Sequence, residues 1–222
     1  MELATITMRI AYVVDVHGSF DAVASVLSDV GPVDVLLVGG DITTAGTPDE
    51  AAAAIELWRP LAPRLLAVAG NMDSPAIDAR LAELGIALDG DGVIVGDVGL
   101  FGVSGSPRTP MHTPYELDEN ELERRIEAGW ARVAGSRVTI LCPHAPPRGT
   151  TCDRLRSGAH VGSTAVRHFV ERVQPDVVLC GHVHESRGMD SIGATRVANP
   201  GPVTAGHYAL VEIGESVSVT LD

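Results

Sequence analysis

The stretch DVVLCGHVHES, residues 176 to 186, is an apolar run that stops at a glycine and then presents two histidines one residue apart. The same punctuation recurs along the chain. VVDVHG offers Asp15 and His17, LLVGGD offers Asp41, AVAGNMD offers Asn71 and Asp73, ILCPHAPP offers His144, and CGHVHE offers His182 and His184. Each piece alone has an ordinary explanation, since Asp and Asn are turn formers and a lone imidazole can cap a sheet edge or sit in solvent. Successive apolar runs that all end in carboxylate, imidazole or carboxamide ask for a common one. Oxygen and imidazole donors without thiolate suit a borderline or hard divalent ion such as Mn, Fe or Zn, rather than a structural cysteine-zinc site. Asp15, His17, Asp41, Asn71, His144, His182 and His184 are too many ligands for one tetrahedral ion. Two ions ~3.5 to 4 Å apart, sharing one carboxylate, would use them all and leave positions for water. In an extended segment residues i and i+2 point the same way, so Asp15 with His17, and His182 with His184, can each aim at one small volume. Glycines at 40, 70 and 181 let the backbone turn sharply beside the ions.

Such donors need strands to carry them. Runs rich in Val, Ile and Leu at residues 8 to 14, 33 to 38, 64 to 69, 137 to 142 and 176 to 180 have the length and β-branched content of buried strands. Helical patterns lie between most of them. TPDEAAAAIELWRP supplies Thr47 as N-cap, Pro48 at the first helical position and Glu50 for a capping box; DSPAIDARLAELG repeats the logic with Ser74, Pro75 and a terminal Gly85. LDENELERRIEAGWARVAG and STAVRHFVERV read as two further amphipathic helices. Strand then helix, repeated, is an α/β pattern, and open α/β sheets place their sites at the C-terminal strand ends. Residues 92 to 104 read as a hairpin turning between Gly96 and Gly99, and residues 187 to 221 as short strands, which implies a second sheet or an extended mixed one. Residues 1 to 7 read as a short extension before the first strand.

Length and composition set bounds on function. A chain of 222 residues without internal repeat or linker tract fits one domain, residues 1 to 222. Cys142, Cys152 and Cys180 are odd in number and lack CxxC spacing, so a disulfide framework is not expected and a reducing cytoplasm is the simplest location. Neither a secretory leader nor a run of ~20 apolar residues is visible, so no membrane association is expected. The formal charge of −13 opposes generic binding to nucleic acid or anionic lipid. All 16 basic residues are arginine. No feature reports an oligomeric state.

Taken in order, DVHG, GGD, GNMD, PHAPP and GHVH resemble the calcineurin-like metallophosphoesterase superfamily over residues 15 to 184. The long stretch between PHAPP and GHVHE, and the later NPGPVTAGHYALVEI, resemble its smaller phosphodiesterase-like members. The resemblance implies a four-layer αββα sandwich with two mixed β-sheets. It also implies that Asp15, His17 and His184 hold one divalent ion, that Asn71, His144 and His182 hold the other, and that Asp41 bridges them. The implied activity is hydrolysis of a small phosphate ester, most naturally a diester, by in-line attack of a hydroxide bridging the two ions, with manganese the leading metal and iron or zinc next. The alternative is an interaction scaffold of the same fold with little turnover; its hallmark would be degraded ligands, and here all seven positions carry competent donors. A metal-dependent hydrolase acting on C–N or C–O bonds would be expected to open with HxH on the first strand, where this chain has DxH.

Beyond the ligands, Asp41 and Asn71 are expected to contribute to catalysis, and Asn71 also to contact substrate. Arg148, Arg154, Arg156 and Arg167 form a basic patch after His144. The last three are either solvated or paired with Asp153 and Glu171; Arg148 or Arg154 is the candidate for gripping a second anionic group on the substrate. Many relatives read GNHD, with a histidine that assists the leaving group; this chain reads GNMD, and the Met72 thioether cannot donate a proton. Activated esters are therefore expected to be cleaved efficiently and simple alkyl esters slowly, unless His160 or water takes the acid role. Asp73 is then expected to be a structural acceptor for a backbone N–H or for Arg80. Cys142 and Cys180 are expected in the core, and His112, His168 and His207 have no comparable context.

Overall fold

The computed structural model describes residues 8–222, so the extension expected over residues 1–7 lies outside the described residues. In chain order the regular elements are β1 (Met8–Val13), α1 (Phe20–Val30), β2 (Val35–Val38), α2 (Pro48–Trp58), β3 (Arg64–Ala67), α3 (Pro75–Glu83), β4 (Gly92–Val95), β5 (Val98–Val103), β6 (Ser106–Pro107), β7 (Glu116–Leu117), α4 (Glu119–Val133), β8 (Val138–Pro143), α5 (Thr164–Val173), β9 (Val177–Leu179), β10 (Gly188–Ile192), β11 (Thr195–Asn199), β12 (Ala209–Ile213) and β13 (Val217–Leu221). Local chemistry accounts for most helix starts. Thr47 Oγ1 accepts from Glu50 N at 3.2 Å while Glu50 Oε2 accepts from Thr47 N at 2.7 Å, a complete capping box. Ser74, Asp118 and Ser163 accept from the N–H three residues on and open α3, α4 and α5. α1 has no such cap; it is held by burial of Val23, Val26 and Leu27 on one face and closed by Gly31, whose φ is 76°.

Two mixed sheets result, one ordered β13-β12-β1-β2-β3 and the other β10-β11-β9-β8-β5-β4. β1, β2 and β3 run parallel, with Val13 level with Val38 and Val38 with Ala67; β5, β8, β9 and β11 run parallel to one another, with β4 and β10 antiparallel at the edges. Side chains alternate strictly across the strands. On β1 Ile10 and Tyr12 enter the core between the sheets while Ala11 and Val13 face α1 and α2; on β8 Ile140 and Cys142 enter the same core while Leu141 joins Phe101, Phe169 and Ile126 under α4 and α5. Three apolar layers between four structural layers give the expected αββα sandwich. Both faces of each sheet are covered, which is why the strand segments read as near-continuous Val, Ile and Leu.

Cys142, Cys152 and Cys180 are all buried and free, as a core role requires. Among the described residues no helix is long and apolar enough to cross a membrane.

Candidate metal centre

The parallel strands of the two sheets end at one edge of the sandwich, and the loops leaving β1, β2 and β3 there meet those leaving β8 and β9. The ladder continues past the strand ends: Asp15 N donates to Gly40 O at 3.1 Å, His17 N to Asp41 O at 2.7 Å and Gly18 N to Ile42 O at 3.0 Å. From the other sheet, Gly181 N donates to His144 O at 3.0 Å, and His182 N reaches across to Asp15 Oδ2 at 3.1 Å. Asp15, Asp41, Asn71 and His144 are buried in consequence.

The donor atoms fall into two groups. His17 Nε2 and His184 Nε2 lie 3.2 Å apart, with Asp15 Oδ2 3.7 Å from His184. Asn71 Oδ1 lies 2.9 Å from His144 Nε2 and 2.7 Å from His182 Nδ1. Asp41 Oδ2 stands between them, 3.6 Å from His17 Nε2 and 3.6 Å from His144 Nε2. Its other oxygen accepts from Met72 N at 2.7 Å, which fixes the carboxylate and leaves Oδ2 aimed at both groups. His144 donates Nδ1–H to Gly39 O at 2.8 Å, so its Nε2 carries a lone pair and faces another acceptor, the Asn71 oxygen. His17 Nδ1 is held by Thr44 Oγ1 at 3.0 Å, turning Nε2 inward. Two lone pairs facing each other, as at His144 Nε2 and Asn71 Oδ1, repel unless a cation lies between them.

The same need appears in the backbone and the ionisation. Asp15, His17, Asp41 and His182 all adopt left-handed conformations, with φ of 55°, 49°, 49° and 67°. Each costs of order 1 to 2 kcal/mol in a non-glycine residue. Among the described residues, four of the seven non-glycine residues in this conformation are proposed ligands. Strain collected on the donors is what a ligand-holding site shows. The pleat of an extended strand is therefore not what aims these pairs: Asp15 and His17 converge through left-handed kinks, and His182 and His184 part, one toward Asn71 and the other toward His17. Burial pushes the Asp41 carboxyl up to about 7, helped by Asp15 and Asp73. Burial pushes the His182 imidazole down to about 3, so it stays neutral and able to ligate. The Asp15 carboxylate raises His184, and the surrounding histidines hold Asp15 low against its burial. The donor set fits a divalent cation in each group.

Two supports complete the centre. Asp73, fully buried, accepts from Ile42 N, Thr43 N, Gly70 N and Thr43 Oγ1 at 2.9 to 3.0 Å, tying the loop of Asp41 to the loop of Asn71. Its partners are backbone N–H groups as expected; Arg80 pairs with Glu83 instead. Gly70 is required by close approach, since a Cβ there would lie 2.1 Å from Asp41 Oδ1. Asn199 donates Nδ2–H to Val183 O at 3.1 Å and accepts from Gly201 N at 2.9 Å, bracing the turn that carries His182. The sequence signal for it was the Asn-Pro-Gly triplet after a strand.

Above the donors opens a cleft of about 720 Å³ lined by His17, Asp41, Asn71, His182 and His184 below and by Met72, Thr109 to Met111, Thr113, Leu155, Val161 and Val183 around them, with Glu185 at the margin. His160 stands in the loop between Leu155 and Val161 but is not part of this lining; its Nδ1 pairs with Asp153 Oδ1 at 2.6 Å. Arg148 and Arg154 are exposed and also outside the lining. Arg156 pairs with Glu185 at 3.1 Å and Arg167 with Glu171 at 2.7 Å. The wall from Thr109 to Thr113 carried no signal that sequence reasoning used.

Comparison with known proteins bears on the family and the fold. The family model described as calcineurin-like phosphoesterase matches residues 8–186. Uncharacterized protein MJ1162 of Methanocaldococcus jannaschii is 33% identical over 201 residues, covering 88% of each chain. In fold, the chain is similar to TT1561 of Thermus thermophilus, at a TM-score of 0.73 and 19% identity over 97% of this chain and 99% of that one. A dimetal phosphatase of Danio rerio is similar at a TM-score of 0.58 and 12% identity, over 98% and 96%. The chain belongs to the calcineurin-like phosphoesterase family.

Proposed function

We propose that the protein is a dinuclear metal-dependent phosphodiesterase. Members of its family are metal-dependent phosphoesterases; what carries the finer reading is the division of seven donors into two groups joined by Asp41 Oδ2, 3.6 Å from an imidazole of each. Asp15, His17 and His184 would hold one ion, Asn71, His144 and His182 the second, and Asp41 both. Bound there, two divalent cations would acidify a shared water and neutralise charge on the phosphoryl oxygens. The chain supplies the positions. His144 and His17 are oriented by Gly39 O and Thr44, Asp41 by Met72 N, and Asn71 by the loop that Asp73 gathers. Met72 lines the cleft at the place where relatives would carry a histidine, so the leaving group receives no proton from that position. Manganese is the leading metal, because the set is oxygen and imidazole without thiolate.

The test is metal content and turnover together. Protein reconstituted with Mn²⁺ should hold about two ions per chain by elemental analysis, hydrolyse bis(p-nitrophenyl) phosphate, and lose that activity in excess chelator. One ion per chain, or turnover that survives chelation, would overturn the dinuclear reading.

A further inference from the structure

The cleft above the metal donors has an unusual wall for an enzyme that handles anions. The chain has no lysine, and among the described residues no arginine lines the cleft. Arg156, close to its margin, is 89% exposed and already paired through Nε to Glu185. What surrounds the donors is apolar: Met72, Pro110 and Met111, with Leu155, Val161 and Val183. Met111 is 80% exposed and Val161 36% exposed, two of the five large apolar residues the described surface leaves uncovered. Scattered singly they would mean nothing; gathered around one concave site they mark a binding surface.

The polar members of the wall are turned to each other. Glu116 Oε1 accepts from Thr109 Oγ1 at 2.6 Å, from Thr113 Oγ1 at 2.9 Å and from Thr113 N at 2.8 Å. Thr109 Oγ1 in turn accepts from Met111 N at 3.1 Å. Both hydroxyl protons are thus committed inside the loop. The loop winds on its own carboxylate and presents Pro110 and Met111. Glu185 likewise accepts from Arg156 N at 2.9 Å and adds negative charge to the margin. Among the described residues that line the wall, a second phosphate or carboxylate on a substrate would find no arginine and no uncommitted hydroxyl, and would face Glu185.

Resting on the phosphodiesterase reading, we infer that the substrate is a diester with one anionic phosphoryl group and an uncharged, apolar ester arm. The same wall disfavours nucleoside polyphosphates and nucleic acid as substrates. The reaction is ordinary hydrolysis: a water oxygen bonds to phosphorus, the P–O bond to the leaving group breaks, and the leaving oxygen takes the proton that water gives up. The apolar arm stays on phosphorus in the wall.

The experiment holds the leaving group fixed and varies the arm. Methyl, butyl, octyl and 4-carboxybutyl esters of p-nitrophenyl phosphate are compared with Mn²⁺-loaded full-length protein. Full burial of a methylene is worth about fourfold in binding, so even partial contact predicts that kcat/KM for the octyl arm exceeds that for methyl by at least about tenfold. The carboxybutyl arm should fall below butyl. Met111→Lys and Val161→Lys, both at exposed positions that folding tolerates, should shrink the octyl-to-methyl ratio and raise the carboxybutyl rate. Equal rates for methyl and octyl, or preference for the carboxylate arm, would overturn the inference while leaving the phosphodiesterase reading intact. If no ester turns over, that reading fails instead. The wall is then judged by calorimetry with octyl and methyl monoesters of methylphosphonic acid: tighter octyl binding supports it, and equal binding overturns it.

Discussion

Asp73 touches none of the proposed ions, yet the centre depends on it in a way that can be measured. Its two oxygens take four hydrogen bonds: Oδ2 from Ile42 N and Gly70 N, Oδ1 from Thr43 N and Thr43 Oγ1. Asp73→Asn keeps the shape and removes one acceptor. The least costly orientation puts the new amide nitrogen in place of Oδ1, where the Thr43 hydroxyl can turn and accept, but Thr43 N is left buried and unpaired. An orphaned buried N–H costs about 1 to 3 kcal/mol, and the two remaining bonds each lose about 1 kcal/mol when the acceptor is no longer charged. The sum is about 3 to 5 kcal/mol. For a chain of this size each kcal/mol shifts the melting temperature by about 2 to 4 °C, so chelator-treated Asp73→Asn should melt roughly 10 °C below the parent. Metal affinity should fall as well, by about 10- to 100-fold, because the tie holds Asp41 and Asn71 in register. Thr43→Val removes the hydroxyl's bond to Asp73 and the acceptor of Gly46 N, and should cost about 2 kcal/mol. Calorimetric melting in chelator and Mn²⁺ titration of all three proteins decide the matter. An Asp73→Asn protein that melts with the parent and binds Mn²⁺ as tightly would refute the coupling.

Asp41→Asn should reduce turnover and metal content more than Asn71→Ala, because Asp41 faces both donor groups; equal, mild losses would reject the bridging role. Gly70→Ala drives a Cβ to 2.1 Å from Asp41 Oδ1 and 2.2 Å from Asp41 N, and should cost about 10²-fold in kcat/KM by displacing that residue, whereas parent-like kinetics would mean the loop yields freely. Arg125 is paired with both Asp89 and Asp78, and burial together with Asp78 pushes the Asp89 carboxyl up to about 7. The folded state then binds a proton on Asp89 that the unfolded state has released, so the contribution of this carboxyl to stability falls by about 1.4 kcal/mol per unit as pH rises from about 4 to about 7, and no further above that. Arg125→Gln removes the cation and should deepen the loss; urea unfolding at pH 5 and pH 8 in chelator checks it, and equal pH sensitivity in parent and variant would sink the account.

Much of the scaffold was legible because its strands are covered on both faces. Continuous Val and Leu at 35 to 38 and 177 to 179, and the largely apolar run at 138 to 143, leave few alternatives to a buried parallel strand, and Thr47, Pro48 and Glu50 state a helix start in side-chain chemistry. α1 was not legible by that route. Its segment FDAVASVLSDV has no capping side chain at Ser19 and three β-branched valines, so its helical state comes from packing Val23, Val26 and Leu27 on β1 and β2 rather than from local preference. The metal donors stood out because polar residues at the ends of several buried runs are an anomaly in any single one. Their geometry did not: the pleat of an extended strand, taken as the device that aims i and i+2 together, is replaced by left-handed turns at Asp15, His17, Asp41 and His182.

The cleft wall was silent for a related reason. Residues 104–117 have no period of 2 or 3.6, and their order comes from Glu116 gathering Thr109 and Thr113, a pattern of a carboxylate and two hydroxyls that any polar loop could carry. Periodicity reports what a segment buries against a neighbouring layer; it is blind to a loop that satisfies itself. The donor set and the wall therefore hold different information. Donors must sit at strand ends and must be Asp, Asn or His, so chemistry restricts their types and the sheet restricts their places. The wall is restricted only by what it must admit. Pro110, Met111, Leu155 and Val161 fill no core position, and in a chain with charge −13 a solvent-facing loop has no packing reason to put methionine and valine beside a site for anions. Their cost in exposed apolar surface is recovered only when something apolar covers them, and an uncharged, apolar ester arm on the proposed substrate would meet that condition.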